Sequence, residues 1–234
     1  MLKTQIFIIS WAGQHERALA IAKAIESLSV QVTIIFSDPD STLSIFDGVH
    51  AARRSDKLFW GDKFQACLDM LEGDNMLVIH ADCDCESWEK LVQKCIHTMS
   101  NHHEVGVWAP LIKHSYFALE KTSIGKLTNF PSLNVVAQTD GIIFCLDKSI
   151  VRRMKLASYK ENVFGWGIEW MFVSHTYMIN KIAVIDESIT VSHRKFRGYP
   201  SEIAYAEMNH FLTQLSLMEH IHYTLLNSYV NERK

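Results

Sequence analysis

Four prolines and ten glycines in 234 residues leave no collagen-like, linker or low-complexity segment, and no internal repeat is visible. No apolar run approaches the ~18 residues that a membrane helix needs. The run Ile6–Ile9 behind the single Lys3 is also too short for a signal peptide. No run of like charge suggests a tail, and the net charge is only -3. A global field for nucleic acid or an anionic membrane is therefore excluded. Five scattered cysteines (Cys67, Cys83, Cys85, Cys95, Cys145) exclude a disulfide framework and suit a reducing compartment. Cys83-x-Cys85 has no second Cys/His pair at zinc-ligand spacing, which argues against a structural zinc. The expectation is a cytoplasmic protein without an intrinsic span. It could be peripheral at the inner membrane face, or an excised domain of a larger protein.

What is present is 48% hydrophobic residues, enough for one good core. Gln5–Ser10 reads as a strand, residues 14–29 as a helix with apolar positions at helical spacing, and Gln31–Phe36 as a second strand. A helix over 61–72, a strand over Asn75–Ala81 and a helix over Glu86–Met99 continue the alternation. Strands then follow at 105–112, 141–145, 182–185 and 189–192, with a helix over 169–178. The last 30 residues carry Ala204, Met208, Phe211, Leu212, Leu215, Ile221 and Leu225 on one side of one or two helices. Alternating βα units predict an α/β fold with a mainly parallel, mixed central sheet flanked by helices. Ligands of such sheets bind beyond the carboxyl ends of the strands.

Three polar punctuations fall on that rim: Ser10-Trp11, Ser37-Asp38 and Asp82-Cys83-Asp84. In extended backbone, residues i and i+2 point the same way, so Asp82 and Asp84 can converge. Two converging carboxylates call for a cation, and hard oxygen ligands favour Mg2+ or Mn2+. Trp60-Gly61-Asp62-Lys63 opens a helix on the same rim, where free N–H groups and the Lys63 ammonium suit a phosphate. Phe164-Gly165-Trp166-Gly167-Ile168-Glu169 offers an indole face and a carboxylate together, a surface for a sugar. Farther on, His193 leads into the basic segment Arg194-Lys195-Phe196-Arg197, the charge a diphosphate needs and a loop able to close over it.

This ordered set resembles the nucleotide-sugar glycosyltransferases of the GT-A fold, above all the β-1,4-galactosyltransferases and polypeptide N-acetylgalactosaminyltransferases with their Gly-Trp-Gly-x-Glu. The resemblance runs over residues 4 to 200. It implies a single GT-A (Rossmann-like) domain: a nucleotide-binding half over about 1–100, an acceptor-binding half over about 101–200 and a helical segment over about 201–234. It implies a divalent metal held by Asp82, Asp84 and His193. Trp11, Ala12, Asp38, Lys63, Cys83, Asp140, Arg194 and Arg197 would face the donor, a UDP-sugar by preference. Trp166, Gly167, Glu169 and Trp170 would face a glycan or glycoconjugate acceptor. Where the galactosyltransferase pattern places an Asp after this Glu, Trp170 stands here. Either Glu169 itself deprotonates the acceptor, the inverting outcome, or the reaction is retaining. A nucleotidyltransferase of the same fold needs a glycine-rich basic loop after the first strand, which Ser10-Trp11-Ala12-Gly13-Gln14 does not supply. A non-catalytic carbohydrate- or nucleotide-binding domain is the other alternative.

Overall fold

The computed structural model describes residues 3–40, 42–113, 115–193 and 199–233. The first strand, β1 (Thr4–Ser10), is buried along its whole length, because its two faces feed two different cores. Phe7 and Ile9 pack into one and Ile6 and Ile8 into the other, the two-residue alternation of a strand covered on both sides.

The order along the chain is β1, α1 (His15–Ala24), β2 (Gln31–Phe36), β3 (Ala51–Arg53), α2 (Trp60–Met70), β4 (Asn75–His80), β5 (Cys83–Cys85) and α3 (Trp88–Asn101). It continues with β6 (Val105–Lys113), α4 (Leu119–Thr122), β7 (Ser123–Leu127), β8 (Phe130–Val136), β9 (Ile143–Leu146) and α5 (Lys148–Met154). The last elements are α6 (Ile168–Met178), β10 (Ile182–His193), α7 (Ser201–Leu212) and α8 (Leu217–Glu232). Among the described residues ten strands join one sheet, ordered β3-β2-β1-β4-β9-β6-β10-β8-β7, with β5 added to β10. The pairings set β5, β8 and β9 against the other seven strands, so the sheet is mixed, as expected, with most strands running one way. Helices α1 and α3 cover one face, and α2, α5, α6, α7 and α8 cover the other.

Three features depart from the periodicity reading. The stretches read as separate strands at 182–185 and 189–192 are one strand, β10, whose register shifts between Asp186 and Thr190. Asp186 Oδ1 accepts from both the backbone N–H and the hydroxyl of Ser188 there, so the polar interruption is a bulge and not a loop. The Asp82–Asp84 turn is drawn into the sheet as β5, pairing Cys83 with His193 and Asp84 with Ser192. The apolar stripe of the last 30 residues is not continuous. Ala204, Phe211 and Leu212 are buried, whereas Ile221 and Leu225 are 42% and 63% exposed. The break at 213–216, where Ser216 and Glu219 form a reciprocal capping box, restarts the helix in a new phase and turns Leu226 and Val230 inward instead.

Candidate active site

The carboxyl ends of β1 and β4, the segment before β9, the 164–170 segment and the start of α7 enclose a cleft of about 690 Å3. That is the size range of sites for small organic ligands. Among the sequence candidates, Trp11, Ala12, Asp82, Asp140, Trp166, Glu169, Trp170 and His193 all line it.

β4 delivers His80 and, two residues on, Asp82 to the floor. The β5–β10 pairing brings His193 back to the same point across 111 residues, with His193 Nε2 3.2 Å from Asp82 Oδ2. Burial favours a raised pKa for Asp82, but the His193 hydrogen bond and the nearby imidazoles outweigh it and hold the carboxyl below its usual range. The other oxygen, Asp82 Oδ1, is buried without a hydrogen-bond partner among the described residues. Oxygen and nitrogen donors of Asp82 and His193, with the sulfur of Cys83, lie within 4.8 Å of one another. A buried carboxylate oxygen left unpaired beside an imidazole is what a divalent ion would satisfy, so the residues present fit a metal. The Cys83 thiol is a lesser donor, since burial pushes its pKa well up and keeps it protonated.

Asp84 is not brought to that cluster. Its Oδ1 takes a hydrogen bond from Arg17 Nη2 at 2.6 Å, and its side chain is 67% exposed. Arg17, a residue the sequence reading passed over, also donates to the carbonyls of Ala81 and Cys83 and so clamps the whole acidic turn from α1. Its signal was available: a helix after β1 faces the end of β4, and only Arg17 on it could span the gap with a forked donor.

Lys63 does not reach the cleft. It is fully buried, donates to the carbonyls of Leu58 and Phe59, and lies 5.7 Å from the Trp11 ring centroid. Burial lowers its pKa to about 8. The apolar aromatics around the helix start recruit its four-carbon stem inward, which the phosphate reading did not foresee. Asp38 also stands outside the cleft lining. His15 links it to the end of β1, with Nδ1 2.7 Å from Ser10 Oγ and Nε2 2.7 Å from Asp38 Oδ2. The amide of Asp40 donates to Asp38 Oδ1, and that bond, followed by the one from His15, lowers the carboxyl's pKa. Arg194 and Arg197 lie outside the described residues.

The Gly-Trp-Gly-x-Glu segment forms the opposite end of the site's scaffold. Gly165 has φ +72°, and a Cβ there would sit 2.4 Å from Trp60 Cδ1. Gly167, at φ +87°, caps α6, and its Cβ would be 2.9 Å from Met208 Cγ. Both glycines are therefore required by backbone handedness and by packing. Asn162, almost fully buried, ties the turn by accepting from the Gly165 amide and donating to the Trp166 carbonyl. Trp166 Nε1 donates to Tyr199 Oη at 2.9 Å, and Tyr199 stacks on Phe164 at 4.5 Å between centroids. Glu169, in the first turn of α6, packs against the Asp140-Gly141 backbone, since a Cβ on Gly141 would lie 3.6 Å from its Oε2. Trp170 is only 5% exposed, its ring set edge-on between Phe117 and Tyr223, so it presents little more than an edge to a ligand.

No protein-family model and no curated protein matches the sequence. Solved structures match the fold. S. aureus TarS 1–349 in complex with UDP-GlcNAc is 12% identical with a TM-score of 0.66, over 98% of this chain and 72% of that one. GalNAc-T7 with UDP, GalNAc and Mn2+ is 9% identical with a TM-score of 0.64, over 86% of this chain and 45% of that one. The chain thus spans less than half of the GalNAc-T7 structure. A Bacillus anthracis structure described as a glucose-1-phosphate thymidylyltransferase, with sucrose bound, is 11% identical at a TM-score of 0.52, over 93% of this chain and 99% of that one. The chain has the GT-A fold.

Proposed function

We propose that this chain is a metal-dependent glycosyltransferase, moving a sugar from a nucleoside-diphosphate donor, a UDP-sugar by preference, to a hydroxyl of a glycan or glycoconjugate. The observation that carries the reading is Asp82: a buried carboxylate oxygen without a partner among the described residues, joined to His193, in a cleft that also holds Glu169 and Trp166.

Asp82 and His193 would hold Mn2+ or Mg2+, and Asp84 would join them by exchanging its bond to Arg17. When bound, such an ion supplies positive charge against the diphosphate that departs as the glycosidic bond breaks. The rest falls to the chain's own groups. Trp166 offers an indole face for a sugar's C–H surface and is fixed by its bond to Tyr199. Glu169 would take the proton from the acceptor hydroxyl as its oxygen bonds to the anomeric carbon, the inverting outcome. Arg194 and Arg197, following His193 directly in sequence, would add charge for the phosphates. Neighbouring structures with UDP-GlcNAc, or with UDP and Mn2+, support this reading at the level of fold.

One observation favours a second reading, a non-catalytic binding domain of the same fold: the Arg17–Asp84 ion pair occupies one of the two carboxylates. A nucleotidyltransferase shares the fold but requires the glycine-rich basic loop that Trp11-Ala12-Gly13-Gln14 lacks. Turnover of UDP-sugars with Mn2+ in parent and Glu169→Gln protein separates the readings. The proposal expects donor turnover in the parent, a drop of about 100-fold or more in kcat for Glu169→Gln, and unchanged nucleotide affinity. Nucleotide binding without turnover in the parent would favour the binding domain.

A further inference from the structure

His80 is among the polar side chains of the cleft that the proposed chemistry leaves unused. His80 ends β4 and is 8% exposed, and its Nε2 is buried with no hydrogen-bond partner among the described residues. Its imidazole is set edge-on to two indoles, with centroids 5.2 Å from Trp11 and 4.7 Å from Trp60. All three residues line the cleft. A buried imidazole nitrogen left unpaired in a folded protein costs roughly 1–3 kcal/mol, a cost that a hydrogen-bonding guest in the cleft would relieve. The two indoles suit the C–H face of a sugar ring, and the buried Nε2 suits one of its hydroxyls. The ionisable groups around the imidazole are Asp82, His193 and Lys63.

Position narrows the guest further. Two residues of extended chain span at most about 7 Å, so His80 lies within about one hexose width of Asp82. We propose that His80, between Trp11 and Trp60, is a specificity-determining residue that hydrogen-bonds a hydroxyl or acylamino group of the sugar carried by the nucleotide donor. This rests on the reading of Asp82 as the diphosphate's anchor. It assigns His80 to the transferred sugar and leaves the nucleotide to other residues. The Gly-Trp-Gly-x-Glu segment, with Trp166 and Glu169, then serves the acceptor.

Isothermal titration of UDP and of a panel of UDP-hexoses and UDP-N-acetylhexosamines, all with Mn2+, tests it. The variants are His80→Phe, which keeps the aromatic packing, and His80→Gln, which keeps a hydrogen-bonding tip. The parent should bind one UDP-sugar more tightly than UDP. His80→Phe should bind UDP within about twofold of the parent while losing about tenfold in affinity for that sugar nucleotide. His80→Gln should recover part of the loss. Four results would overturn the inference: His80→Phe keeping the sugar preference, His80→Phe losing UDP and UDP-sugar equally, His80→Gln behaving as His80→Phe, or a parent with no sugar preference. A parent that binds no nucleotide at all overturns the function proposed above, and this assignment with it. A parent that binds UDP with Mn2+ but fails on one of the four counts leaves that function standing.

Discussion

At the residue scale the site is a contest between burial and partners, and the outcome differs from one side chain to the next. Asp82 and His193 stand 111 residues apart in the chain. The β5–β10 register makes them a pair. Asp84, the other half of the acidic motif, is claimed by Arg17, because a guanidinium with three acceptors in reach forms a fork that one carboxylate cannot rival. Lys63 went inward for the same kind of reason. Its stem packs among aromatics and two backbone carbonyls take its head, leaving a cation in a poorly solvated place. Its pKa falls to about 8 from 10.5. A lysine lowered in the native state binds fewer protons folded than unfolded in that interval, so stability rises with pH from about 8 to 10.5. Denaturation of Lys63→Met should lack that rise, the difference between parent and variant amounting to as much as about 3 kcal/mol across the window. Identical pH slopes in the two proteins would show that Lys63 is solvated after all.

At the scale of elements, legibility followed periodicity. β1, α1, β2, α2, β4 and α3 stand where alternation and helical spacing place them, because each is long and buries a full face. The short strands β3 and β5 and the β7–β8 hairpin at the sheet's edge escaped, since three to seven residues with exposed faces carry little pattern. β10 was read as two strands because its bulge looks like a loop from inside one sequence. The candidate site was legible wherever residue type alone carries chemistry, as in Asp82, His193 and Trp166-Gly167-x-Glu169. It was illegible where partners decide, as in Asp84, Lys63 and Asp38, and at the orphaned His80. The Gly165–Trp60 contact belongs to this scale, for it is how the 164–170 segment is seated on α2. Gly165→Ala would add strain at positive φ and a clash with Trp60 Cδ1. The expected cost is about 2–4 kcal/mol, a fall of roughly 5–10 °C in Tm. Scanning calorimetry checks it, and an unchanged Tm would mean that the segment moves freely against α2.

At the scale of the whole molecule, one mixed sheet gathers its ligand-facing groups on a single rim, with helices sealing both faces. Among the described residues no helix is long and apolar enough to cross a membrane. The parallel strands β1 and β4 supply the floor, and β10, crossing from the far side, supplies His193. That arrangement makes the central claim simple to state: nucleotide binding should require a divalent ion, and the ion should require Asp82. The most direct measurement is a thermal-shift titration of UDP and UDP-sugars, with and without Mn2+, on parent and Asp82→Asn protein. Nucleotide should raise the parent's Tm only when Mn2+ is present, by several degrees at a hundredfold excess over Kd, where linkage contributes about 2.7 kcal/mol. Asp82→Asn should fold and show no such shift. A nucleotide-induced rise that is independent of Mn2+, or that survives in Asp82→Asn, would contradict it.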